Sequence, residues 1–334
     1  MLFLSRAYNN YITAWNEFSW FFWIPLFKFL WLLTTPISLV SRSSYQNANE
    51  RLIEYLNRLV APRSQHLINV REASKDLETF WRTFDGQPQD IALYAQALEN
   101  PQWFQGVSIL DVGCGVGRKS YELAKAGASE VLGVDNSKRN ISIAKKMSPA
   151  LLGLSFRDVE VADLQKEYAN HFDYIISFTV FEHVDDVVGL LGELFTLQKP
   201  GGRNIIVYNH YLDRYGSHLK EFIYFPWPQL IWPEKILFSY WNAQLRKAQE
   251  KGGMGYFPKY YKHGTDGHNN DCFMNLNRHT IQQVESLIAR TPYKLAREYR
   301  YSSSPLFKRW PWMRKTFLNK YLEGSIAYVL ERPI

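Results

Sequence analysis

The stretch ILDVGCGVG, Ile109 to Gly117, restricts the fold of this chain more than any other. Ile109, Leu110 and Val112 make a short apolar run suited to a buried strand, and Gly113, Gly115 and Gly117 turn the chain directly after it. Glycine lacks a Cβ, so such a turn adopts positive φ and lets a ligand approach the backbone closely. Arg118 to Ala126 is helix-compatible, with Tyr121, Leu123 and Ala124 as predicted core contacts and Gly127 as the stop. The turn therefore sits at a helix N-terminus, where free N–H groups favour an anionic group. Taken alone, the same spacing also serves as a plain tight turn, so the rest of the chain has to decide.

Downstream, strands and helices alternate. Val131 to Val134 is a second apolar run ending at Asp135, and Asn136 or Ser137 caps a helix starting near Lys138. Leu154 to Val161 leads to Asp163, and FDYIISF, Phe172 to Phe178, is a further strand followed by TVFEHVDD. Leu190 to Leu197 reads as helix, and a KPGG turn at Lys199 to Gly202 enters a strand from Asn204 to Tyr208. This rhythm predicts a parallel sheet with right-handed crossovers and a ligand at the carboxyl ends of its strands. Asp135 is placed where a carboxylate accepts the hydroxyl protons of a ribose, which leaves a nicotinamide-binding domain open. Three features argue against that reading: the glycine turn lies in mid-chain behind a helical lead-in, a third acidic position follows at Asp163, and the fourth strand ends in FDYIISFTVFEHV.

Together these residues resemble the class I S-adenosylmethionine-dependent methyltransferases, over approximately Ser108 to Tyr208 and the end of the chain. The resemblance implies an α/β, Rossmann-like, mostly parallel seven-stranded sheet with an antiparallel last strand, here carrying an N-terminal helical extension and a helical cap insertion. Lys294 to Tyr301 and Ser325 to Glu331 are then the closing strands. It implies S-adenosyl-L-methionine as cofactor. Gly113, Gly115 and Gly117 hold its methionine part, with Asp111 bonding the ammonium directly or through water. Asp135, with Asn136 beside it, takes the ribose hydroxyls. Asp163 meets the adenine amino group, with Val161, Ala162 and Leu164 next to the ring, and Phe178 closes the fourth strand. The cofactor carries the hard chemistry, so the protein has to hold an acceptor in line, exclude water and, for a hydroxyl acceptor, remove a proton.

Acceptor-side residues are expected at the ends of the fourth and fifth strands. Tyr208, Asn209, His210, Tyr211, Asp213 and His218 follow the fifth, and His210 is the best-placed base, the alternative being a histidine that bonds a loop carbonyl. The candidate catalytic set is His210, His183, Tyr208 and His218, with His183 also suited to orienting its loop. Residues 212–278 are too long for a simple connection and read as a partly helical cap in which Trp227, Trp232, Tyr240 and Trp241 line a cavity or merely pack. His263, His268, Asp271, Asn275, Asn277 and His279 are candidates for binding the acceptor or a divalent ion. No zinc spacing occurs among them, and no metal site is assigned.

Before the core, Leu52, Ile53, Tyr55, Leu56 and Leu59 form an apolar helical stripe, and Phe80, Trp81 and Phe84 are lid candidates with ordinary packing as the alternative. The first residues differ from all others. Trp15 to Trp31 is dominated by Trp and Phe but interrupted by Pro25 and Lys28, which favours a segment lying on a membrane over one crossing it, with packing on the core or on a second subunit as the other reading. A second basic aromatic segment, FKRWPWMRK, spans Phe307 to Lys315. The organisation is thus residues 1–42, an aromatic-rich segment; 43–106, a helical lead-in; 107–211, the cofactor-binding core; 212–278, the acceptor-side cap; and 279–334, the C-terminal part of the core.

A formal charge of +7 allows a negatively charged partner surface, but no nucleic-acid motif accompanies it and the fourth-strand loop lacks the Asn/Asp-Pro-Pro-aromatic pattern of base amino-methyltransferases, so nucleic acid is not the expected partner. Only Cys114 and Cys272 occur, so a reducing, cytoplasmic compartment is expected, peripheral to the membrane through residues 15–40. The predicted function is methyl transfer, O-directed, to a small-molecule, sugar or lipid-linked acceptor. The alternative is a catalytically inactive cofactor-binding scaffold, against which the intact Asp111, glycines, Asp135 and Asp163 speak.

Overall fold

The computed structural model describes residues 42–60, 81, 94–214, 216, 219, 222–250, 276–300, 305–316 and 318–334. Seven strands form one sheet: β1 (Ser108–Val112), β2 (Glu130–Val134), β3 (Leu154–Arg157), β4 (Phe172–Phe178), β5 (Gln198–Tyr208), β6 (Lys294–Arg300) and β7 (Ile326–Glu331). Their order is β3-β2-β1-β4-β5-β7-β6. The first five strands run parallel, and β7 is antiparallel to both β5 and β6. The switch point lies between β1 and β4, where a doubly wound sheet opens a crevice at its carboxyl edge.

The apolar run of β1 is buried at every position, as a central strand covered on both faces requires. Strand alternation sends Leu110, Val112, Leu132 and Val134 to one face, where Leu191 and Leu194 of α4 (Val187–Leu197) and Ile281 and Val284 of α7 (Ile281–Ile288) cover them. Ile109, Val131, Ile205 and Val207 go to the other face, against Tyr94, Trp103 and Leu123 of α2 (Arg118–Lys125). Burying such side chains stabilises by roughly 1.5–3 kcal/mol each, the main force holding the helices to the sheet.

Helix starts follow local chemistry. The Ser137 hydroxyl accepts from Asn140 N and opens α3 (Lys138–Met147), and Thr280 with Gln283 forms a capping box on α7. The Asp186 side chain accepts from Gly189 N, so α4 begins at Val187 rather than at the predicted Leu190. Two further boundaries differ from expectation. β3 stops at Arg157, because Val161 and Leu164 turn inward in a 3-10 segment, Val161–Leu164. β5 starts at Gln198 and runs through the KPGG sequence, because Gly201 N finds Arg332 O at 2.8 Å and Arg332 N finds Gly202 O at 3.0 Å.

A second core joins α1 (Arg42–Val60) to the insertion through Ile53, Leu56, Ile223, Phe225, Trp232, Leu237, Phe238 and Trp241, most of them from the stretch carrying α5 (Pro228–Ile231) and α6 (Glu234–Glu250). Tyr55, predicted in the buried stripe, faces solvent. Trp227, Trp232, Tyr240 and Trp241 are buried in packing: Trp232 Nε1 donates to Asn49 Oδ1 at 2.8 Å, and Tyr240 accepts from Asn57 Nδ2 at 3.2 Å. Among the described residues no helix is long and apolar enough to cross a membrane. The aromatic segment at 15–40 lies outside the described residues.

Candidate active site

The glycine turn leaves β1 with φ of 66° at Gly113, 57° at Gly115 and 79° at Gly117. Two of these positions admit no side chain. A Cβ on Gly113 would overlap Val180 of the loop after β4, and one on Gly117 would lie 2.6 Å from the Phe156 ring and 2.7 Å from Ala144 Cβ. Glycine here thus lets three loops close together as well as taking positive φ. Gly117 gives α2 no side-chain cap, so the first-turn N–H groups retain capacity for an anionic group.

Asp135 ends β2 and ties the loops together. Its Oδ2 accepts from Gly115 N at 3.0 Å, and its Oδ1 accepts from Ser137 N at 2.9 Å and Asn140 Nδ2 at 3.2 Å. A carboxylate has about four acceptor sites, so these bonds aim the group without exhausting it. Asp111 is buried under the turn, its Oδ2 accepting from Ser120 Oγ at 2.7 Å, which fixes the first turn of α2. Lys119, beside Ser120, is also buried, with Nζ 4.4 Å from the centroid of the Phe178 ring at the end of β4. Ala162 and Asp163 are exposed, whereas the Leu164 side chain is wholly buried in the core. Asn136 is exposed next to Asp135. Open N–H groups, a buried ammonium and an aimed carboxylate, arranged along one strand edge around a glycine-rich turn, suit S-adenosylmethionine, with its amino-acid group at one end and its ribose next in line.

The acceptor side is organised by a residue of unexpected role. Asn277 Nδ2 donates to Phe181 O at 2.6 Å and Val184 O at 2.9 Å, its backbone N donates to Glu182 O at 2.7 Å, and its Oδ1 accepts from Tyr208 Oη at 2.9 Å. The amide is therefore spent as a clamp between the loop after β4 and the end of β5 and is not presented to an acceptor. Tyr208, proposed from sequence as catalytic, is wholly buried and donates to Asn277 and, at 3.2 Å, to His279 O. Burial also raises its phenol above the usual range. Glu182 is 1% exposed, and burial pushes its carboxyl up to about 8. His183 is half-buried in the same turn, its N bonded to Val180 O at 2.8 Å.

His210 is wholly buried just past β5. Its Nε2 lies 3.0 Å from Glu323 O. A carbonyl only accepts, so Nε2 carries the proton and Nδ1 keeps its lone pair; Nδ1 has no partner among the described residues. Burial lowers the ring's pKa, partly offset by the nearby Asp213. His218, His263, His268, Asp271 and Asn275 lie outside the described residues. Among the described residues no group of three or more His, Cys, Asp or Glu is arranged to hold a metal ion.

Trp81, a lid candidate from sequence, instead braces the glycine turn: its Nε1 donates to Val116 O at 2.9 Å, and the Arg118 guanidinium stacks 4.5 Å from its ring. Sequence reasoning missed Lys119, Ser120, Asn140 and the role of Asn277. The first two are adjacent to the glycine motif and could have been suspected as its helix start. The Asn277 clamp spans 96 residues to Phe181 and has no local signal.

Known proteins resemble this chain as follows. The family described as a methyltransferase domain matches residues 104–229. The ubiquinone biosynthesis O-methyltransferase of Cereibacter sphaeroides is 36% identical over 115 residues, 34% of this chain and 46% of that protein. The protein of the same name from Brucella ovis is 30% identical over 169 residues, 47% of this chain and 67% of that protein. The chain thus spans just under half the length of the first relative. A solved S-adenosylmethionine-dependent methyltransferase from Mesorhizobium loti superposes with a TM-score of 0.44 at 16% identity, over 74% of this chain and 99% of that one.

Proposed function

Because the chain belongs to the class I S-adenosylmethionine-dependent methyltransferases, we propose that it catalyses O-methyl transfer to a small-molecule, sugar or lipid-linked acceptor, working peripherally at a membrane from the cytoplasmic side. The geometry of His210 carries the choice of oxygen: an imidazole whose Nε2–H is held by Glu323 O and whose Nδ1 has no partner among the described residues suits removal of a hydroxyl proton, which methylation at oxygen requires. The matched relatives, named for O-methyl transfer in ubiquinone biosynthesis, support the same acceptor atom and a lipophilic acceptor.

The bound cofactor supplies a methyl group made electrophilic by its sulfonium. The protein's own share is placement. Gly113, Gly115 and Gly117 give backbone access, Asp111 sets negative charge beneath the ammonium, and Lys119 together with the α2 N-terminus balances the carboxylate. Asp135, with Asn136 alongside, receives the ribose hydroxyls, Asp163 and Ala162 face the adenine, and Phe178 closes the β4 end. His210 takes the acceptor proton at Nδ1 while Glu323 O holds Nε2–H, and His183 is positioned by the Asn277 clamp on its loop.

The test is transfer of labelled methyl from S-adenosylmethionine into a membrane-lipid extract. The product should carry a methyl ether, and His210→Ala should lower turnover by about 10²-fold with cofactor affinity unchanged. Wild-type turnover in His210→Ala, or label on nitrogen, would contradict the reading.

A further inference from the structure

We infer that the excursion between β6 and β7 docks the acceptor-side edge of the sheet onto an anionic lipid bilayer through Trp310 and Trp312. This deepens the proposed function, resting on its lipophilic acceptor, and it stands on placement, construction, exposure and charge.

Placement follows from strand register. Arg300, the last residue of β6, and Tyr208, the last of β5, both pair with Ile326, the first of β7. The chain between Arg300 and Ile326 therefore leaves the sheet at the edge where β5 ends and His210 follows. His210 touches the far end of this excursion directly, through Glu323 O. Whatever surface the excursion meets is presented to the acceptor side.

The excursion is a built platform. It comprises α8 (Pro305–Arg309), a 3-10 turn (Pro311–Lys315) and α9 (Asn319–Leu322). Leu306, Phe307 and Leu322 are buried against Trp227, whose Nε1 donates to Tyr321 O at 3.0 Å. Trp310 N bonds Leu306 O at 2.7 Å and Met313 N bonds Trp310 O at 3.0 Å, so the segment between the anchors is held in a fixed turn.

That turn presents what a core would normally take in. Trp310 is 40% exposed and Trp312 63%, while Trp81, Trp103, Trp227, Trp232 and Trp241 are all buried. Arg309 and Lys315 flank the pair and are exposed as well. From Tyr301 to Leu322 the sequence holds five basic residues, Lys308, Arg309, Arg314, Lys315 and Lys320, and no acidic one. Tryptophan prefers the headgroup region of a bilayer, and flanking cations attract anionic headgroups. Stacking tryptophans among cations also suit single-stranded nucleic acid, but the position beside a lipophilic acceptor's entry edge favours the bilayer.

The full-length chain, sedimented with phosphatidylcholine vesicles and with equimolar phosphatidylcholine and phosphatidylglycerol vesicles, should bind the anionic ones selectively, and brominated lipid should quench its tryptophan fluorescence. The Trp310→Ala, Trp312→Ala double variant should lose about tenfold or more in partitioning, together with part of the quenching, and the Arg309→Glu, Lys315→Glu pair should lose the anionic preference. Unchanged cofactor affinity shows that both pairs are folded. Wild type that ignores anionic vesicles, variants that partition as wild type does, or displacement of wild type from the vesicles by single-stranded RNA would overturn the inference. Vesicle binding is read apart from turnover: wild type that transfers methyl but does not bind anionic vesicles defeats this inference alone, and wild type that binds them without methyl transfer defeats only the proposed function.

Discussion

Glu182 is protonated at neutral pH because its site offers a charge too little solvation. Its folded pKa of about 8 stands above the ordinary 4.5, so between those values the unfolded chain ionises while the folded one keeps its proton. Folding stability from this residue is undiminished below about pH 4.5, falls as pH rises toward about 8, and levels off above it. The total is on the order of a few kcal/mol. Glu182→Gln should remove that slope. Denaturant unfolding at several pH values should show the variant gaining on wild type as pH rises, and parallel profiles would contradict the burial argument. Single residues differed in how much the sequence disclosed. The placement of Asp111 and Asp135 at the turn was legible because it is tied to position relative to three glycines. Lys119 and Asn277 were not, because a buried lysine and a half-buried amide look in sequence like any surface pair.

At the scale of elements, the alternating strands and helices of residues 108–208 were readable from apolar runs and caps, and the structure has them in that order. The misreadings share one cause: a local signal overruled by a distant partner. KPGG reads as a turn, yet Gly201 and Gly202 are drawn into β5 by Arg332, beyond β7. Asn277 reads as an acceptor ligand, yet it closes the loop after β4 onto the end of β5. Asn277→Ala removes the two carbonyl bonds to Phe181 and Val184 and the acceptor for Tyr208. With those buried groups left unpaired, the loss should be on the order of 1–3 kcal/mol. Amide exchange at residues 181–184 should accelerate far more than exchange in β1. Uniform acceleration across the sheet, or none, would show that the clamp does not act on this loop.

The whole molecule joins one sheet with a glycine-rich turn to a second core built from α1 and the insertion, which leaves the sheet at the carboxyl end of β5. That edge was predictable from topology alone, since parallel strands place their ligands there. How its far side is built was not predictable, because apolar tryptophans carry no label saying whether they will line a cavity or fill one. Trp227, Trp232 and Trp241 fill, while Trp310 and Trp312 stay out. The central claim is that this edge holds S-adenosylmethionine, with Asp135 as its ribose partner and Lys119 beside its carboxylate. Isothermal titration with S-adenosylmethionine tests it most directly. Wild type should bind at one site, and Asp135→Ala and Lys119→Met, each still showing a cooperative unfolding transition, should bind about tenfold or more weakly, a difference of about 1.4 kcal/mol or more. Wild type that takes up no cofactor, or a folded Asp135→Ala that binds as tightly as wild type, would contradict it.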